Sequence, residues 1–306
     1  MARLHVVGAA AELTDQIARW FGHGMLALPA DITWTFQVQA DPWFDAPGTG
    51  AAWQGETAIV PLADAGVRIA HPAGIDVLVQ ARGANATWRV AQDAIEDLLT
   101  ELPTLAMLAL LFGLRRLGWH HLHGATAVAP DGTGWLFTGP TGSGKSTTVA
   151  AVGRAGWQVG GDDAAFLTPG PGDAVLLQPW HGTVALREGG QRLLGLAATT
   201  DADQRGKHRE APAQRGYRAA PAFVPSVIAF CEVATDGGPT RVEPLARADA
   251  FARLITQTAW VTLEPALADS HLALLERLLR HASTLRLVVA PDLVDDPTRC
   301  LRLPGP

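Results

Sequence analysis

The stretch Gly139-Pro140-Thr141-Gly142-Ser143-Gly144-Lys145-Ser146-Thr147 constrains this chain more than any other. It meets the pattern G-x-x-x-x-G-K-[ST] at every fixed position. The apolar run Gly134 to Thr138 precedes it, and Thr147 to Gly156, which reads as a helix, follows. In a strand–loop–helix of this kind, glycines let backbone N–H groups turn inward onto phosphates, and the helix N-terminus adds partial positive charge. Gly139, Thr141, Gly142, Ser143, Gly144 and Thr147 are therefore expected to cradle a nucleoside triphosphate. Lys145 would reach its β- and γ-phosphates, and the Ser146 hydroxyl would ligate Mg²⁺.

The basic residues sharpen this reading. Lys145 and Lys207 are the only lysines in a chain otherwise supplied with arginine. A phosphate loop needs the compact ammonium, which a guanidinium fork cannot replace. Lys207, in Arg205-Gly206-Lys207-His208-Arg209, is either a solvated loop charge or a second residue that reaches phosphate. The formal net charge of −6 and the absence of any basic run argue against a nucleic-acid or acidic-membrane surface.

The two cysteines, Cys231 and Cys300, have neither metal-ligand spacing nor the look of a disulfide framework, which fits a reducing cytoplasm. Met1 to Leu13 lacks the pattern of a signal peptide. The apolar stretch Leu105 to Leu114 is about half of what a helix needs to span a bilayer, so a buried helix is expected there.

Periodicity divides the 306 residues into three parts. Residues 1–91 read as a small strand-rich module. It has a strand over Arg3 to Val7, a helix over Ala9 to Phe21 with Leu13, Ile17 and Phe21 on one face, and strands at Ile32 to Gln39, Ile75 to Gln80 and Thr87 to Val90. Its Pro/Gly-rich loop, Asp41 to Gly55, carries Trp43, Phe44 and Trp53, which would either close over a core or grip a partner. Residues 92–118 read as two connecting helices broken at Pro103.

Residues 119–306 read as the phosphate-loop domain. Its strands are expected at His121 to Val128, Gly134 to Thr138, Trp157 to Gly160, Ala164 to Thr168, Ala174 to Gln178, Val227 to Val233 and Leu285 to Val289, with helices at Ala248 to Ala259 and Ala266 to His281. With one clear helix among the strands up to Val233, the fold class is α/β with a mixed sheet.

Asp162-Asp163 ends the apolar strand that follows the loop's helix, at the same sheet edge as the phosphates. Phosphoryl transfer to a hydroxyl uses one carboxylate near Mg²⁺ and one that takes the proton, and adjacent carboxylates can divide these jobs. Asp163 is the expected base and Asp162 the expected metal ligand, with the exchanged assignment open. His120 and His121 read as structural; His123, one strand from the loop, is expected beside the acidic pair.

Leu122-His123-Gly124, the loop Gly139 to Thr147, Arg154-Ala155-Gly156-Trp157 and Gly161-Asp162-Asp163, at this spacing, resemble the core of the HPr serine kinase/phosphorylase family and its relatives. The resemblance covers about Leu122 to Leu167. It implies a P-loop kinase core related to phosphoenolpyruvate carboxykinase, ATP and Mg²⁺ as cofactors, and transfer to a serine hydroxyl on a protein. In it the acidic pair supplies base and metal functions, and His123 tunes the base. The family's bifunctional enzymes carry Glu-Ile-Arg-Gly where this chain reads Thr183-Val184-Ala185-Leu186-Arg187-Glu188-Gly189-Gly190, a departure from HPr as acceptor and from phosphorylase activity.

The segment around Lys207 is more similar to shorter relatives that modify peptides, including kinases of lasso-peptide precursors. That would make residues 1–91 a peptide-recognition module and a peptide or small protein the partner, in a monomer or a homo-oligomer. A kinase/phosphorylase acting on an HPr-like carrier, a nucleotide-gated binding module and a plain NTPase are the alternatives.

Overall fold

The structure, a computed structural model, describes residues 3–22, 28–40, 51–180, 183–197, 206–210, 212–258 and 261–301. The chain forms two compact units. One comprises Met1–Gly22, Ala27–His120 and Trp260–Ser270; the other comprises His23–Leu26, His121–Ala259 and His271–Pro306.

The first unit is a seven-stranded sheet built from β1 (Leu4–Val7), β2 (Ile32–Gln39), β3 (Ala52–Gln54), β4 (Thr57–Pro61), β5 (Val67–His71), β6 (Ile75–Val79) and β7 (Ala86–Ala91), in the order β1-β2-β7-β6-β5-β4-β3. β1, β2 and β7 run parallel, with helix α1 (Ala11–Gly22) crossing over between the first two, and the rest is an antiparallel meander. Alternation along β2 and β7 buries Trp34, Phe36 and Trp88, whose rings meet at 5.0 and 5.1 Å. Of the expected aromatic loop, Trp43 and Phe44 lie outside the described residues; Trp53 sits on β3 and is exposed.

Residues 92–118 depart from the two expected connecting helices. One 21-residue helix, α2 (Ile95–Arg115), runs through Pro103 and packs on β5, β6 and β7 as part of this unit. Proline removes the N–H that would have bonded the carbonyl four residues earlier. Here that carbonyl, Leu99, instead accepts the Gln16 side-chain amide from α1 at 2.6 Å. With its preceding turn, α2 is long and apolar enough to cross a membrane, yet most of its apolar stretch is buried inside the protein. Arg115 and Arg116 at its end pair with Glu264 at 3.3 and 2.6 Å.

The second unit contains strands β8 (His120–Leu122), β9 (Gly124–Val128), β10 (Gly134–Thr138), β11 (Gln158–Gly161), β12 (Ala164–Pro169), β13 (Val175–Trp180), β14 (Val184–Arg187), β15 (Lys207–Glu210), β16 (Arg218–Ala219), β17 (Val227–Val233), β18 (Arg241–Pro244) and β19 (Ser283–Val289). Its main sheet has the order β16-β11-β9-β10-β17-β19-β18 and is mixed: β10, β17 and β19 are parallel, while β9 runs antiparallel to both β10 and β11. β8, β12 and β13 form a second sheet, and β14 pairs with β15.

Period-two alternation splits the main sheet's residues between two cores. Trp135 and Phe137 pack on one face with Val149 and Val152 of helix α3 (Lys145–Arg154). Leu136, Ile228 and Phe230 pack on the other with Leu254, Leu275 and Leu278. These last come from the helices Arg247–Thr256 and Pro265–His281.

Candidate functional site

Strand directions in the second unit bring the candidate residues to one edge of the main sheet. β10 ends there at Thr138, opposite Gly124, the first residue of antiparallel β9. β11 ends there at Gly161, which pairs with Thr126. The loop after β10, His123 before β9 and the acidic pair after β11 therefore meet because β9 reverses between its two neighbours. The expected single strand over His121 to Val128 is in fact two, β8 and β9, with His123 at the break. Its N–H donates to the Gln257 carbonyl at 2.8 Å, and its own carbonyl accepts the Thr138 hydroxyl at 3.0 Å.

The loop's glycines have steric causes. At Gly139, with φ of +139°, a Cβ would stand 2.8 Å from the Cys231 carbonyl oxygen and 3.0 Å from Ser143 Oγ. Gly144 takes φ of +95° to turn the chain into α3, whose first residue is Lys145. Thr141 and Gly142 are exposed at the tip, and Ser143 Oγ is buried with no hydrogen-bond partner among the described residues. Lys145 folds back over the loop, donating from Nζ to the carbonyls of Gly139 at 2.7 Å and Pro140 at 2.9 Å. Burial lowers its proton affinity, and the Lys207 charge adds to this. Ser146 and Thr147 are half-buried in the first turn, with Thr147 against Gly190.

The two aspartates have opposite environments. Asp162 is 1% exposed; one oxygen accepts the Ala185 amide at 3.0 Å, while Oδ1 is buried without a hydrogen-bond partner among the described residues. Burial, followed by the Asp163 charge, raises its proton affinity, while the Ser146 hydroxyl and the Ala185 amide oppose the rise. The Asp163 side chain keeps 24% of its surface exposed. Lys207 Nζ lies 3.1 Å from its Oδ1, and Arg209 pairs with Oδ2. Burial pushes its proton affinity up, but the Arg209 and Lys207 charges outweigh that and hold it below the usual carboxylate range.

His123 Nδ1 lies 2.7 Å from the Asp163 backbone carbonyl, so that nitrogen carries the proton and donates. Burial and the Lys145 charge lower its proton affinity, which leaves the ring neutral at pH 7. His121, buried edge-on to Phe166, and His120, beside Ser270, are pushed down by burial to about 3 and about 4 and stay neutral within the fold. No group of three His, Cys, Asp or Glu side chains gathers as a metal site among the described residues.

The segment around Lys207 departs from the expected Gly-flanked loop. Lys207–Glu210 is strand β15, paired with β14. Lys207 is thus not a solvated charge, and Arg209, two residues on, joins it at Asp163. The sequence places Arg209 in the same basic segment as Lys207 but does not by itself put it at Asp163. The available signal was the spacing of two cations at i and i+2, which a strand places on one side.

The unpartnered Asp162 oxygen and the Ser146 hydroxyl are hard oxygen donors. They suit Mg²⁺, an ion bound through one or two protein oxygens with phosphate and water completing the shell.

No family model and no curated protein matches the chain. Among solved structures it is similar to the Hpr(Ser) kinase/phosphatase from Coxiella burnetii, at 16% identity over 41% of this chain and 77% of that one, with a TM-score of 0.27.

Proposed function

We propose that the protein is a kinase that transfers the terminal phosphoryl group of ATP, in the presence of Mg²⁺, to a serine hydroxyl of a peptide or small protein. The carrying observation is the convergence, at one sheet edge, of the Gly139–Thr147 loop with Lys145, a buried carboxylate with an open oxygen, and a second carboxylate that keeps some exposure. A plain phosphate-binding loop has no use for the second carboxylate; transfer to a hydroxyl does.

In this reading the loop's amides and Lys145 hold the phosphates, and Lys145 leaves the two loop carbonyls to do so. Ser146 and Asp162 would hold Mg²⁺, which supplies charge neutralisation on the phosphates. Asp163 accepts the proton as the acceptor oxygen bonds to the γ-phosphorus. The bond from that phosphorus to the bridging oxygen breaks, and ADP leaves. Asp163 suits the base role because it retains exposure, whereas Asp162 is closed in beside Ser146. His123 fixes the Asp163 carbonyl and thereby the direction of its side chain. The N-terminal unit, with Trp53 exposed on its edge strand β3, is the candidate for acceptor recognition.

The test is transfer of label from γ-labelled ATP with Mg²⁺ to peptides and small proteins encoded beside this chain, and to an HPr-like carrier, with the modified residue read by mass spectrometry. Phosphoserine on one acceptor is the expected result. Turnover of ATP without a labelled acceptor would point to an NTPase, and binding without turnover to a nucleotide-gated module; either would displace the kinase reading.

A further inference from the structure

The β14–β15 ladder acts on both aspartates. Ala185 of β14 donates its amide to Asp162, and Arg209, its register partner on β15, grips Asp163. Lys207 lies two residues from Arg209, on the same side of the strand, so the two cations meet one carboxylate with one on each oxygen. An acceptor hydroxyl needs a carboxylate oxygen within hydrogen-bond reach to give up its proton. Here each oxygen carries a cation that lowers its basicity, so release of the clamp restores the base.

The distribution of charge says what would open it. Lys145, Lys207 and Arg209 gather at one sheet edge, and the Lys207 charge is felt at both Lys145 and His123. Like charges brought this close repel one another, and Lys207 and Arg209 both contact the Asp163 carboxylate. A terminal phosphate offers more charge and three acceptor oxygens, and both ammonium and guanidinium groups bind it well.

We propose that Lys207 and Arg209 are ligands of the terminal phosphate of the nucleoside triphosphate, and that they reach it by exchange, leaving Asp163 as the phosphate arrives. The nucleotide therefore uncovers the base, and the acceptor follows the nucleotide. The inference rests on the kinase reading above and adds to it the residues that grip the terminal phosphate and the order of events.

Exchange makes Asp163 a competitor of that phosphate for the same two cations, and such coupling is reciprocal. Asp163→Asn should therefore tighten binding of a non-hydrolysable triphosphate with Mg²⁺, measured by titration calorimetry, by about tenfold, within the range for one coupled charge pair. Loss of a nearby negative charge would also tighten binding, so the decisive comparison uses a Lys207→Gln/Arg209→Gln background. There the gain should fall below about twofold, because the cations that carry it are gone. Arg209→Gln alone should erode the preference for triphosphate over diphosphate by about tenfold, and it keeps the test open should Asp163→Asn fail to fold. A gain from Asp163→Asn that persists in the double-glutamine background, or an unchanged triphosphate preference in Arg209→Gln, would overturn the exchange and leave the kinase reading in place. Failure of the unaltered protein to bind any triphosphate would overturn both.

Discussion

Replacing Asp162 with asparagine should make the ligand-free protein more stable at neutral pH while abolishing phosphoryl transfer. Burial and the Asp163 charge raise the Asp162 pKa from 3.8 to about 6. For an acid whose folded pKa lies above its unfolded value, the fold holds the proton more tightly than the unfolded chain does. Below about pH 4 both states are protonated and nothing is lost. As pH rises from about 4 to 6 the unfolded chain ionises first, and stability falls; above about 6 the cost is complete. At about 1.4 kcal/mol per pKa unit, the ceiling on that cost is about 3 kcal/mol.

Asparagine carries no charge to desolvate and retains an oxygen to accept the Ala185 amide. Asp162→Asn should then exceed the unaltered protein by about 1–3 kcal/mol at pH 8, with the difference shrinking towards zero near pH 4. Urea unfolding followed by tryptophan fluorescence, without Mg²⁺ or nucleotide, reads both quantities. A variant that is less stable at pH 8, or a difference that does not change with pH, would refute the view that Asp162 is held ionised at the fold's expense for the sake of its chemistry.

Three further substitutions separate binding from folding. Lys145→Ala should weaken ATP binding with Mg²⁺ by about tenfold or more in calorimetry, with an unchanged circular dichroism spectrum, since it removes the counter-ion of the phosphates and only two hydrogen bonds to loop carbonyls. Gly139→Ala should lower stability by about 1–3 kcal/mol in thermal unfolding, because its Cβ meets the Cys231 carbonyl at 2.8 Å on a backbone that L-residues rarely adopt. Glu264→Ala should cost about 3–5 kcal/mol, seen as loss of the unfolding transition of the first unit, by leaving the buried Arg115 guanidinium without its carboxylate.

Sequence exposed the parts of this fold whose causes are local. β10, β17 and β2 begin and end where periodicity and their Gly, Pro, Asp or Ala borders put them, and the acidic pair closes β11 as Gly160-Gly161-Asp162-Asp163 implied. The unreadable parts depend on residues distant in the chain. Pro103 stops a helix unless something else satisfies Leu99, and the satisfying group belongs to Gln16, 83 residues away. β15 is Lys-His-Arg-Glu, with no apolar alternation to betray a strand; its pairing with β14 and its ion pairs to Asp163 hold it in place. The break at His123 likewise depends on Gln257, which takes the N–H a continuous strand would have used elsewhere.

That break also explains why an antiparallel strand stands in the middle of the candidate site. Had β9 run parallel to β10 and β11, its far end would face this edge, and the residue before Gly124 would lie at the opposite one. Reversal places His123 between the loop that follows β10 and the carboxylates that follow β11. Its neutral ring then ties the Asp163 carbonyl through Nδ1, while the hydroxyl of Thr138, the last residue before the loop, ties the His123 carbonyl. Two hydrogen bonds thus run from the end of β10 to the end of β11, and each is held by a backbone that the sheet already fixes. In the kinase reading the histidine would tune Asp163 by position rather than by charge.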